Sequence, residues 1–393
     1  ATGSLINLII TLFMGLSVGT TVVVARDFGA NRPDGVSKSV HTSIAISIIG
    51  GLIVMVLGIV LCKPLLIIMG TPENIIDLSV LYMKIYFIST PANMVFTFAA
   101  AILRAAGDSK RPMYYLIITG TIHVIFNLFF VIVLHMSVAG VAFATVISEY
   151  LSVVLIMMCL SRCDGAIRFV PSKMHIDRDK LKDIVKIGLP AGMQGMLFSI
   201  SNVLIQSAVN SFGSNMVAAS AAAGNIENYV GTSMIAYYNA ALAFTGQNMG
   251  AKKYDRIDSI AKVCTALVFI TWIILGGATV LFERPLLGIF TSDPEVIKLG
   301  VLRLNVMMAA FFTCGIMNVY PGLTRAMGYS ISPMISTLVG ACLMRIVWLA
   351  TIFKWHPTEI VLFACYPVTW ALAGLGQVGI FFYARRKIRK SAS

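Results

Sequence analysis

SVHTSIAISIIGGLIVMVLGIVLC occupies residues 39–62 and contains no Asp, Glu, Lys or Arg. At about 1.5 Å per residue, a helical run of that length crosses the roughly 30 Å hydrocarbon core of a bilayer. Residues 360–384 form a second such run, and nine more apolar stretches of comparable length surround these two. The eleven expected spans are 1–25, 39–62, 78–103, 113–134, 138–160, 187–212, 216–246, 257–282, 296–324, 333–353 and 359–384. Continuous apolar runs exclude a barrel, whose strands alternate over about 10 residues. The expected fold is an all-α, polytopic membrane protein.

Composition agrees, with 58% hydrophobic and 12% charged residues over 393 positions. A soluble domain averages roughly 45–50% apolar and 25% charged. The formal charge of +13 has no aromatic-basic nucleic-acid signature beside it, so no nucleic-acid partner is expected. Instead it follows topology. Of 30 basic residues, 23 lie on one side of the expected spans, including five in the tail 385–393, while Lys63, Arg284, Lys298 and Lys354 lie on the other. Short basic loops stay in the cytoplasm, which predicts a multi-pass protein of the cytoplasmic membrane with its C-terminus inside. The seven cysteines show no CxxC or Cys/His spacing, so they read as buried hydrophobes rather than a disulfide framework or metal site.

An internal repeat organises the chain. ILRAAGDSKRPM (102–113) resembles LTRAMGYSISPM (323–334), KPLL (63–66) resembles RPLL (284–287), and Gly29-Ala30 recurs as Gly250-Ala251, all at one offset of 221 residues. The expected organisation is an N-terminal lobe over 1–160, a polar linker over 161–186, a C-terminal lobe over 187–384 and a basic tail over 385–393. The first half has no counterpart of residues 187–221, which predicts five helices in the first lobe and six in the second. Restoring the missing helix would give six plus six in an intact parent. Even numbers make the copies parallel, pseudo-symmetric lobes.

The segment GLSVGTTVVVARDFGANRPD (15–34), its counterpart NIENYVGTSMIAYYNAALAFTGQNMGAKKYDR (225–256), the turns with Arg104, Gly107, Pro112 and Arg325, Gly328, Pro333, and RIVW at 345–348 resemble the multidrug and toxic compound extrusion (MATE) family. The resemblance covers essentially the whole chain. It implies a secondary transporter with two six-helix lobes around a central cleft, exporting organic cations and drugs against inward Na+ or H+, with no other cofactor. The chain departs from the family where a helix commonly carries Asn and, four residues later, Asp: here those positions are His123 and Asn127. The absent first helix is where the family often keeps a coupling acid.

Charged groups inside a bilayer cost about 2.5–3.5 kcal/mol on insertion scales and therefore need a reason. Glu227 is the leading candidate for cation coupling. Ser220, Gly224, Gly231, Met234 and Tyr238 share its helix face, which has the character of a cavity lining. The alternative is a glutamate paired with a neighbouring arginine for packing alone. Glu149, His123, Asn127 and Arg345 complete the coupling and substrate candidates. Arg345 is expected to pair with an acid of its own lobe. Lys84 and Arg303 are expected to snorkel to headgroups.

Adaptable thioethers and aromatic rings suit a site for flat cations, which nominates Met193, Gln194, Met196, Tyr237, Tyr238, Asn239, Met307, Met308 and Phe311 as cavity lining. The paired turns at Arg104 and Arg325 read as structural reversals. Thr71-Pro72-Glu73 and Asp293-Pro294-Glu295 read as helix starts. Prolines 91, 190, 321 and 367 fall inside spans, where they permit kinks. A flippase for lipid-linked or polysaccharide substrates is the second reading, and it would need several arginines in the cavity. An enzyme is not expected, because HExxH and Walker motifs are missing from the sequence. A monomer that meets small organic cations and the lipid bilayer completes the expectation.

Overall fold

The computed structural model of the chain describes residues 2–68 and 73–392; of residues 2–9, 68, 74, 391 and 392 it describes the backbone alone. Among the described residues the structure is helical, without a strand. The first five long helices are α1 Thr2–Gly29, α2 Pro33–Ile68, α3 Glu73–Ala105, α4 Lys110–Val133 and α5 Ser137–Arg162. Then follow α6 Arg178–Asn210, α7 Ser214–Gly250, α8 Arg256–Leu281, α9 Pro294–Met308, α10 Phe312–Ala326, α11 Ile331–Trp355 and α12 Glu359–Ala392. Among the described residues every segment read as a span from sequence coincides with one of these helices, overrunning it by at most two residues, with α9 and α10 sharing the ninth.

Among the described residues, nine helices are long and apolar enough to cross a membrane, or ten when the bent pair α9 and α10 is one span. The remaining long helix is α7. Its 37 residues suffice in length, but Asn215, Asn225, Glu227, Asn228, Asn239, Gln247 and Asn248 make it too polar to stand among them. Lipid-facing character is concentrated elsewhere: on α4 and α8, Ile132, Ile273, Ile274 and Leu281 are all well exposed. Without lipid around them these side chains would face water, so their exposure itself calls for a bilayer.

The chain packs as two units, Ala1–Gly192 and Met193–Ser393, so α6 begins in one and ends in the other. In the first unit α3 is central, packed on α1, α2 and α5, while α4 meets the bundle chiefly through α5. The run Phe98, Ala99, Ala100, Ala101 on α3 is buried, and its small side chains let the neighbouring backbones approach. Gly15 and Gly19 on α1 oppose Gly188 and Gly192 on α6. A Cβ on Gly15 would lie 2.1 Å from the Gly192 nitrogen, and one on Gly192 would lie 2.2 Å from the Leu12 carbonyl oxygen. This is backbone-on-backbone packing at small-xxx-small spacing.

The segment that follows α5 is tied to α2. Val170 N–H donates to His41 Nε2 at 3.1 Å, and Asp177 N–H donates to Thr42 Oγ1 at 3.0 Å. The Lys180 backbone N–H, reinforced by Lys38 at 3.2 Å, holds the Asp177 carboxyl below the usual carboxylate range. Helix α6 starts at Arg178, inside the stretch read as linker.

In the second unit α7 packs on α8, α9 and α10, and α12 packs on α9, α10 and α11. Asp293 caps α9 by accepting from Glu295 N–H at 2.9 Å, as its sequence suggests. Of the matching start at Thr71-Pro72-Glu73, the first two residues lie outside the described residues. The four prolines nominated from sequence do lie inside helices. The sharp bend between α9 and α10, 48°, falls at residues 309–311, away from Pro321. All seven cysteines are unbridged, and six of them are buried.

Candidate functional site

Helix α7 supplies the polar wall of a cavity in the second unit. The alanine-rich start MVAASAAA, residues 216–223, favours helix, and small residues on one face leave space beside it. Nothing lies within 4 Å of where a Gly224 Cβ would sit, and at Gly231 the nearest atom is Phe311 Cζ at 3.9 Å. The resulting cavity measures about 790 Å³ and is walled by α6, α7, α9, α10 and α12. That is within the usual range of sites for drug-sized molecules, roughly 300–1,000 Å³.

Glu227 and Arg303 meet in its wall. Arg303 Nε donates to Glu227 Oε1 at 2.8 Å and its Nη2 donates to Oε2 at 3.0 Å, a two-pronged pair in which both side chains are buried. The guanidinium also lies 5.3 Å from the Phe363 ring centre and 5.6 Å from that of Tyr366. The expectation that Arg303 snorkels is therefore corrected. It stands nine residues after Pro294, about 13 Å into its helix, too deep to reach headgroups, so it turns inward to the acid. Glu227 is paired, as the packing alternative required, yet it also lines a cavity, as the functional reading required.

Arg345 is completely buried, and no acid lies within ion-pair distance among the described residues, which corrects the expected acidic partner. Its guanidinium donates to Asn202 Oδ1 at 2.6 Å and, at 3.4 Å, to both Ser201 Oγ and Thr369 Oγ1. Rings cover the rest: Phe198 lies 4.7 Å away and Tyr366 4.9 Å. Phe198 and Asn202 of α6 and Tyr366 of α12 also line the cavity, so Arg345 braces two of its walls. Ser220 Oγ and Trp370 Nε1, both in the lining, have no protein partner among the described residues.

Met307 and Phe311 line the cavity, as nominated. The other nominees sit elsewhere. Arg325, at its turn, donates to Gln194 Oε1 at 2.6 Å and to Tyr238 Oη at 2.9 Å, which gathers those two into an anchor for the α10 end. Tyr237 Oη bonds Thr271 Oγ1 at 2.5 Å, against α8. Met193, Met196, Asn239 and Met308 are outside the lining. The cavity gains polar and aromatic residues that periodicity on one helix does not reveal, chiefly Asn202, Asn318, Tyr366 and Trp370. They converge from three helices, and only the fold brings them together.

The first unit has a smaller cleft of about 260 Å³ between α4 and α5. It joins two nominated residues, His123 and Glu149. His123 Nε2 lies 3.2 Å from Thr145 Oγ1, and Glu149 accepts from Asn93 Nδ2 at 3.1 Å. Glu149 thus has an amide partner on α3. Asn127 is not in this lining. Lys84 is exposed, consistent with snorkelling. Sequence reading overlooked Asp27. It is buried, accepts from Ser39 Oγ at 3.0 Å and pairs with Lys180 at 2.5 Å. Its place beside Arg26 at the end of α1 gave it the look of a loop charge.

The MatE family profile matches residues 1–129 and 190–351. The chain is 25% identical over 394 residues to the "Probable multidrug resistance protein YoeA" of Bacillus subtilis, which spans 97% of this chain and 84% of that protein. It is 21% identical over 328 residues to the multidrug export protein MepA of Staphylococcus aureus, covering 81% and 72%. The fold matches that of a mutant of the Vibrio cholerae MATE transporter VcmN with a TM-score of 0.90 at 21% identity, over 98% of this chain and 88% of that one. A repeated helical architecture, a polar helix lining a cavity and a profile match over most of its length lead to one conclusion: this chain belongs to the multidrug and toxic compound extrusion family of membrane transporters.

Proposed function

We propose that the chain exports drug-like organic cations in exchange for inward Na+ or H+, and that the exchange is made at Glu227. The observation that carries this reading is the Glu227–Arg303 pair in the wall of a drug-sized, aromatic-lined cavity. With the pair closed, Glu227 and Arg303 cancel, and the buried Arg345 leaves one net positive charge at the cavity. A proton or Na+ taken up by Glu227 removes the negative member, so the cavity then holds two uncompensated guanidinium charges. Repulsion at short range in a low-dielectric site ejects a bound organic cation. Loss of the coupling ion re-forms the pair and readmits substrate, whose charge finds the faces of Phe198, Phe311, Tyr366 and Trp370. Amide oxygens of Asn228 and Asn318 in the same lining suit a hard cation beside the carboxylate. One site that binds either ligand but not both, opening alternately to the two membrane faces, is sufficient for antiport.

The orientation in which the basic loops and tail lie in the cytoplasm belongs to the same proposal. The test is efflux of a fluorescent organic cation from vesicles under imposed Na+ or H+ gradients. The wild-type chain should respond to at least one gradient, and Glu227→Gln, folded and inserted at wild-type levels, should fall to the background rate. Efflux indifferent to both gradients, or undiminished in Glu227→Gln, would overturn the reading.

A further inference from the structure

A second large groove, about 610 Å³, lies in the other flank of the same unit, between α8 and α12 with Tyr320 of α10 at its base. Its composition changes along its length. Deep in the span, Phe269, Tyr320, Phe381 and Phe382 form an aromatic wall, and Phe382 is largely exposed to the lipid side. At the mouth stand Lys262, Arg385 and Arg389 against one acid of the lining, Asp258, with Asp255 just outside it, 3.7 Å from Arg385 Nη2. Asp258 accepts from Arg385 Nε at 2.7 Å, from Arg385 Nη2 at 3.0 Å and from Arg389 Nη2 at 2.9 Å, so its lone pairs are committed. One positive charge is left over. Arg385 is only 4% exposed, and its Nη1 is buried in the groove wall without a partner among the described residues. A buried, unpartnered guanidinium nitrogen is costly unless something accepts from it.

The depths of the two zones match on both walls. Lys262 precedes Phe269 by seven residues on α8, and Phe382 precedes Arg389 by seven on α12, so each aromatic wall lies about 10 Å below its basic mouth. The mouth sits where α8 begins and α12 ends, on the face that carries most of the chain's basic residues, at headgroup level. An anion alone would need the mouth and would leave the aromatic wall unused.

We propose that this groove binds one anionic phospholipid of the basic-face leaflet, its phosphate at Lys262, Arg385 and Arg389 and an acyl chain along Phe269, Phe381 and Phe382. Binding does not involve the Glu227 cavity and is measured without transport. The probe is the full chain with palmitoyl-oleoyl phosphatidylglycerol or phosphatidylcholine, read by native mass spectrometry and by thermal unfolding. One phosphatidylglycerol should be retained per chain in preference to phosphatidylcholine. Lys262→Gln with Arg389→Gln, two exposed positions, should weaken that retention about 30-fold, at about fivefold per cation, while Lys298→Gln on the opposite face leaves it unchanged. Equal retention of the two lipids, undiminished phosphatidylglycerol retention in the double variant, or the same thermal stabilisation from inorganic phosphate alone would each overturn the proposal.

Discussion

The two units repeat one backbone and bury different chemistry. The repeat extends to single hydrogen bonds. Gly107 and Gly328, 221 residues apart, both take left-handed conformations, at φ 97° and 102°. Their N–H groups donate to Arg104 and Arg325 carbonyls at 3.0 and 2.8 Å. Asn31 and Lys252, also 221 apart, sit at φ 52° and 58°, and the N–H groups of Arg32 and Lys253 donate to the carbonyls of Asp27 and Asn248 at 3.0 and 2.9 Å. Side chains diverge on that shared frame. Asp27 forms a buried ion pair with Lys180 near the end of α1, whereas its counterpart Asn248 does not; in the second unit the buried pair is Glu227–Arg303, in a cavity wall. Turns therefore define the repeat, and the charges within the spans define what each copy does.

The largest expected effect tests whether that asymmetry is energetic. Arg303→Ala leaves the Glu227 carboxylate buried without its counter-ion, which typically costs about 3–5 kcal/mol. Adding Glu227→Gln to Arg303→Ala should recover most of the loss. In the first unit, Glu149→Gln exchanges a carboxylate for an amide against Asn93 and should shift stability by about 1 kcal/mol or less. Thermal unfolding in detergent reads all three variants. Equal losses for Arg303→Ala and Glu149→Gln, or no recovery in the double variant, would break the contrast between the units.

Much of the fold is legible in the sequence because lipid imposes a length and a polarity on every span. The eleven segments, the 221-residue offset and the Asp293 cap are all visible there. The site is legible only in part. Glu227 is conspicuous because a carboxylate in an apolar run is too costly to stand without a counter-group or a wet cavity. Arg303 is misread since lysine and arginine near a span end usually snorkel, and only its depth after Pro294 argues otherwise. Arg345 shows the limit of charge counting. Its partners are an amide, two hydroxyls and two rings contributed by α6 and α12, and none of these announces itself as a counter-group. Gln194 and Tyr238 have the right chemistry for a cavity but are claimed by Arg325, a choice that depends on where α6 and α7 pass the end of α10.

A middle-sized effect concerns two glycines, one in each unit, that have different uses. Gly15 is a close-approach position, so Gly15→Ala would push its Cβ against the Gly192 backbone and should cost about 1–3 kcal/mol. Gly224 borders open space, and Gly224→Ala should be neutral or stabilising by up to about 1 kcal/mol through helix propensity. Melting temperatures in detergent decide between them. A destabilising Gly224→Ala together with a harmless Gly15→Ala would reverse the assignment of the first glycine to packing and the second to the cavity.

The smallest effect is the sharpest probe of the shared backbone. A Cβ at a left-handed position meets the neighbouring carbonyl and costs about 1–2 kcal/mol, whatever the surroundings. Gly107→Ala and Gly328→Ala should therefore destabilise by similar amounts, because their φ angles differ by only a few degrees and their N–H groups close equivalent turns. The surroundings are not equivalent: Arg325 is buried with Gln194 and Tyr238 as partners, whereas Arg104 is half-buried, and the Nε of each has no partner among the described residues. If turn geometry sets the cost, the two losses agree within about 0.5 kcal/mol and add in the double variant, as distant sites do. If the arginine anchor sets it, Gly328→Ala costs clearly more, and the repeat would then be a likeness of shape whose stability each unit secures in its own way.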